Sequence, residues 1–109
     1  MKIRKNIIKQ RLKEDKHVIA IENLNDPNSV ELFAPNNPHC FWFEGEQWIA
    51  DVQNIGDLTR AADLIEATPI VRVPRPEYQL IYHALDLGAQ GISVPHVKTK
   101  KDAELVVRA

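Results

Sequence analysis

The 109-residue chain balances 14 Lys and Arg against 15 Asp and Glu, for a formal charge of −1, and 44% of its residues are hydrophobic. That content suits one modest core, while the near-neutral charge argues against nucleic acid or an anionic membrane as a general partner. Cys40 is the sole cysteine, which excludes an intrachain disulfide and a thiolate metal cage. With no apolar run of bilayer-spanning length and no hydrophobic leader, the expectation is a cytoplasmic protein whose partners are small ligands or other proteins.

Residues 1–16 hold seven basic and two acidic groups, so they carry +5 while the remainder carries −6. Ile3, Ile7, Ile8 and Leu12 recur there at helical spacing. They predict a cationic leading helix with one apolar stripe, packed on an open end or edge of the fold; a helix for a membrane surface or an acidic partner is the other reading. His17–Ile21 has the length of a strand. Asp26 then offers a helix cap with Pro27 in the first helical position, and Val30, Leu32 and Phe33 supply the buried side until Pro35-Asn36-Asn37-Pro38 ends the helix.

Cys40-Phe41-Trp42-Phe43 is a continuous apolar run, the pattern of a parallel strand covered on both faces, and the polar turn Glu44-Gly45-Glu46-Gln47 comes directly after it. A third helix is expected over 55–65, with Leu58, Ala61, Ala62 and Ile65 on one side. Pro69–Pro74 predicts a strand confined by its prolines. A fourth helix over 77–87 closes at Gly88. Gly91–Val94 is a short fourth strand ended by Pro95-His96, and Lys100–Arg108 a last helix. Strands alternating with helices at short spacing imply right-handed parallel βαβ units: an α/β fold of one domain over 1–109, with a leading helix (1–16) and four βα units (17–109).

The stretch Thr68-Pro69-Ile70-Val71-Arg72-Val73-Pro74, together with Ala84-Leu85-Asp86-Leu87-Gly88-Ala89-Gln90-Gly91-Ile92-Ser93-Val94-Pro95-His96-Val97, resembles a contiguous signature of the HpcH/HpaI aldolase/citrate lyase family. The similarity extends more loosely to Phe41–Gln47 and to Asn25-Asp26-Pro27. It implies a (β/α)₈ barrel of which these four units are the N-terminal half, since such barrels take about 250 residues. It also implies metal-dependent class II aldol chemistry, carbon–carbon bond cleavage or formation between pyruvate or another 2-oxo acid and an aldehyde, with acyl-CoA substrates in related lyases. The divalent metal, Mg²⁺ or Mn²⁺, is implied by the family, whose Glu and Asp ligands lie on later strands than any present here; this chain is expected to contribute none.

Forming a pyruvate enolate requires a group that holds a carboxylate, one that stabilises an oxyanion and one that moves a proton. Arg72, at the carboxyl end of a strand, matches the family's arginine that contacts the pyruvyl oxygen, and its planar fork suits that task; alternatively it pairs with Glu44 or Glu46 and only satisfies a buried carboxylate. Gln47 stands where the family has its acid/base histidine, and an amide cannot shuttle a proton as imidazole does. Glu46 matches the acidic neighbour of that histidine, to orient the base or a metal-bound water, or else is a solvated or Arg72-paired carboxylate. Glu44 replaces the Asp of many relatives. Pro95 and His96 lie on the same rim and are expected to shape the substrate pocket. His17, His39 and His83 show no metal spacing. Trp42 is expected to fill core and Trp48 to pack at an interface, with an aldehyde-lining role as the alternative.

Two functional classes stay open. One is an aldolase/lyase whose site is incomplete in this chain alone; the other is a catalytically silent half barrel acting as a binding or assembly module. A four-strand parallel half barrel leaves two strand edges and its interior side chains uncovered, so a homo-oligomer, or a partner chain completing the barrel, is expected.

Overall fold

The computed structural model describes residues 3–47 and 50–109; the expectations for Met1, Lys2 and Trp48 lie outside the described residues. In chain order the elements are α1 (Ile7–Lys13), β1 (Ala20–Glu22), α2 (Pro27–Leu32) with a 3₁₀ turn at Ala34–Asn36, and β2 (Cys40–Glu44). The second half comprises α3 (Ile55–Leu64), β3 (Thr68–Arg72), α4 (Tyr78–Asp86), β4 (Gly91–Ser93) and α5 (Lys100–Arg108). The strands form one sheet in the order β1-β2-β3-β4, every neighbouring pair parallel. This is the fourfold βα repeat that the apolar runs and their spacing imply.

Local chemistry fixes the element ends. The Asp26 carboxylate accepts the Ser29 N–H at 3.1 Å and Pro27 opens α2. Thr99 and Asp102 cap α5 reciprocally, each side chain accepting the other's backbone N–H, so two otherwise orphaned donors are satisfied. Gly88, after the end of α4, takes φ +104°, and a Cβ there would also meet Thr59 Oγ1 at 2.9 Å. The leading helix is shorter than the basic segment that contains it. Asn6 caps it by accepting the Lys9 N–H, and Asp15 leaves helical space at φ +54°.

Side chains alternate along each strand, so one face of the sheet carries Phe41, Phe43, Val71 and Ile92, and the other carries Trp42, Glu44, Ile70 and Arg72. The first face holds the core: Phe41, Phe43 and Val71 are fully buried, clustered with Leu58, Ala61, Ala62, Ile81 and Ala84 of the covering helices. The second face corresponds to a barrel interior. At its amino end it is closed by α1, whose Ile7 N–H donates to Thr68 Oγ1 at 2.9 Å, while Asn6 Nδ2 donates to the Gln90 carbonyl at 3.0 Å and Arg4 pairs with Asp63. Trp42 and Ile70, farther along this face, are only partly buried. Trp42 therefore departs from the expectation of core filling: two-residue periodicity puts it opposite the helices, which a continuous apolar run cannot reveal.

Candidate active site at the carboxyl rim

β2 and β3 are paired in register so that Glu44 lies beside Arg72, and β4 sets Ser93 on the other flank of Arg72. All three end their strands, so their side chains emerge on the carboxyl rim where (β/α) barrels assemble their chemistry. The turn after β2 then folds back over β3. Gly45 donates its N–H to the Arg72 carbonyl at 2.8 Å, and a Cβ on Gly45 would stand 2.3 Å from that oxygen. Only glycine permits this approach. From sequence Gly45 is simply part of a polar turn; its position between two acidic residues, Glu-Gly-Glu, is the signal that a tight reversal presents both carboxylates to one partner.

That partner is Arg72. Its Nη1 lies 3.2 Å from Glu44 Oε2, and its Nη2 pairs with Glu46 Oε2. The other Glu46 oxygen lies 2.7 Å from Nε2 of His96, so Glu46 joins the ends of β3 and β4. Glu44 Oε1 meanwhile accepts the backbone N–H groups of Glu46 at 2.8 Å and Gln47 at 3.4 Å. Burial pushes the Glu44 carboxyl up, but the Arg72 hydrogen bond and charge, the Glu46 N–H and the Trp42 indole outweigh it and hold it below its ordinary value. Arg72 is thus the carboxylate partner of the structural alternative, at the strand end that the functional reading requires.

The other candidate residues lie around or away from this cluster. The Gln47 backbone belongs to the turn and its side chain is exposed. Pro95 is half-buried, and His96 is exposed with φ +59°. The Cys40 thiol is buried and its pKa is pushed up to about 11 by that burial, which leaves it protonated and unsuited to nucleophilic chemistry. His17 and His39 face each other with ring centroids 6.3 Å apart, far from the rim: His39 Nδ1 accepts the Ile19 N–H at 2.9 Å and braces β1.

A divalent cation does not fit the donors present. Among the described residues no group of three or more His, Cys, Asp or Glu side chains is arranged to hold a metal ion, and the carboxylates of Glu44 and Glu46 are already engaged by Arg72, His96 and backbone N–H groups. A hard cation needs several free oxygens in one place.

A parallel (βα)₄ sheet with an arginine–carboxylate cluster on its carboxyl rim has the architecture of half of a (β/α)₈ barrel. The HpcH/HpaI aldolase/citrate lyase family model matches residues 26–109, and the chain belongs to that family. It is 31% identical over 105 residues to a hydroxypyruvate/pyruvate aldolase of Pseudomonas aeruginosa, covering 95% of this chain and 39% of that protein. It is 44% identical over 66 residues to a hydroxypyruvate/pyruvate aldolase of Roseobacter denitrificans, covering 61% and 26% respectively. The crystal structure of an HpcH/HpaI family protein from Burkholderia cenocepacia superposes with a TM-score of 0.84 at 29% identity, covering 95% of this chain and 42% of that one. The chain therefore spans less than half the length of these relatives.

Proposed function

We propose that this chain supplies the 2-oxo-acid anchor of an HpcH/HpaI-type aldolase that makes or breaks a carbon–carbon bond between pyruvate, or a similar 2-oxo acid, and an aldehyde. One observation carries the reading: Arg72 stands on the carboxyl rim with its guanidinium aimed along the Glu44–Gln47 turn rather than into the helix layer. There it holds a substrate carboxylate or the oxyanion of an enolate through paired N–H donors. Glu44, nearly buried and ionised, fixes the position of the guanidinium, and Pro95 and His96 border the same space from the segment that follows β4.

The proton step is where this chain is weak. Gln47 does not titrate near neutrality, so it donates and accepts hydrogen bonds but is no general base, a loss on the order of 10²–10⁴ in rate. The Mg²⁺ or Mn²⁺ that the family implies would neutralise the developing enolate charge, and its ligands are not supplied by the rim described here. The catalytic reading therefore applies to the rim as one part of a complete site. The second reading, a catalytically silent binding or assembly module, is favoured by one specific residue, Gln47.

Calorimetric titration with pyruvate and with oxalate, each with and without Mg²⁺ or Mn²⁺, tests the proposal. Binding is expected to be lost in Arg72→Ala. Binding unchanged in that variant would place the anion elsewhere and sink the reading; because the described rim holds no metal site of its own, binding by this chain is expected to be the same with and without the cation.

A further inference from the structure

We infer that Glu46 is a built-in competitor for Arg72: small carboxylates reach the guanidinium by exchanging with it, which makes Glu46 a specificity-determining residue. This rests on the anion-site reading above and deepens it.

The guanidinium meets two carboxylates where one would neutralise it, and the two are held differently. Glu44 closes β2, is 8% exposed, and accepts two backbone N–H groups of its own turn; leaving Arg72 would strand a nearly buried charge. Glu46 lies beyond the strand, on the turn itself, and its second oxygen already meets His96 Nε2 at 2.7 Å. His96 is exposed and belongs to the neighbouring strand end. When Glu46 releases Nη2 it keeps that second partner. An arriving carboxylate therefore displaces Glu46 and leaves the Glu44–Arg72 pair in place.

Competition of this kind selects among ligands. Glu46 is tethered beside Arg72, so its effective concentration far exceeds that of a dissolved ligand offering the same group. A simple monocarboxylate such as acetate offers nothing that Glu46 lacks. A 2-oxo acid or oxalate brings a second oxygen on the adjacent carbon for the remaining guanidinium N–H donors, and the paired geometry favours it. The two carboxylates also crowd the one guanidinium, which opposes an arriving anion until Glu46 moves aside.

Calorimetry and NMR titration of the whole chain with oxalate, pyruvate and acetate, comparing the native protein with the isosteric variant Glu46→Gln, test the inference; Glu46→Ala serves as a second variant if the first does not fold. Neutralising residue 46 is expected to tighten oxalate and pyruvate binding roughly tenfold, to make acetate binding measurable, and so to narrow the preference for 2-oxo acids. If the native chain binds oxalate and the variants bind it equally or more weakly, the competitor role is wrong while the anion site stands. If neither native chain nor variant binds any of the three, the anion site itself falls and this inference with it.

Discussion

A guanidinium with two carboxylates on it can be a structural knot or an anion site awaiting exchange, and the difference lies in how each carboxylate is otherwise held. Glu44 is part of the framework. Its folded-state pKa lies below the ordinary 4.5, so its contribution to stability is fully present above that value and is lost as pH falls through the depressed folded value. Thermal unfolding followed from neutral pH downward is expected to show a loss of stability beginning below about pH 4.5 that is shallower in Glu44→Gln; the same acid slope in both proteins would show that the Arg72 pair contributes nothing. Much of this cluster is legible in the sequence, because Arg72 sits just before Val73-Pro74 at a strand end and Glu44 and Glu46 flank a glycine. The His96–Glu46 contact is not, since it depends on how β4 abuts β3 and spans 50 positions of sequence.

At the scale of elements, continuous apolar runs bounded by proline and asparagine locate β2 and β3, and the spacing of Leu58, Ala61 and Ala62 locates α3. Leu58 is fully buried between the sheet and its neighbouring helices. Leu58→Ala is expected to cost about 2–5 kcal/mol in urea unfolding, and a loss below about 0.5 kcal/mol, the range of an ordinary surface substitution, would mean that α3 does not pack on Phe43 and Val71 as described. The first strand is less legible. The run at His17–Ile21 suggests a start near His17, yet the ladder begins at Ala20 opposite Cys40, because the preceding Ile19 N–H is claimed by the His39 ring. A side chain competing for one backbone donor leaves no trace in hydropathy. The basic leading segment likewise reads as one long helix, whereas the Asn6 cap and the left-handed Asp15 restrict it to Ile7–Lys13.

For the whole molecule, the order β1-β2-β3-β4 leaves one edge of β1 and one of β4 without a neighbouring strand among the described residues, and Trp42 and Ile70 stay partly exposed on the face opposite the helices. Unpaired parallel edges and an uncovered apolar face favour association, and Leu32 of α2 and Val107 of α5 are 77% and 87% exposed. Sedimentation velocity of this chain is expected to show a dimer or larger species at micromolar concentration, and a compact monomer throughout would contradict that. The parallel architecture is readable from alternation of element types alone; which faces stay open is not, since it depends on pairing across the sheet. The rim around Arg72 is the place where a small dicarboxylate or 2-oxo acid is proposed to meet this protein. Backbone amide NMR of the ¹⁵N-labelled chain titrated with oxalate measures this most directly. Shifts are predicted to concentrate at Glu44–Gln47, at Arg72 and Val73, and at Ser93, Val94 and His96, whereas shifts confined to α1 or α5, or no response at saturating oxalate, would contradict it.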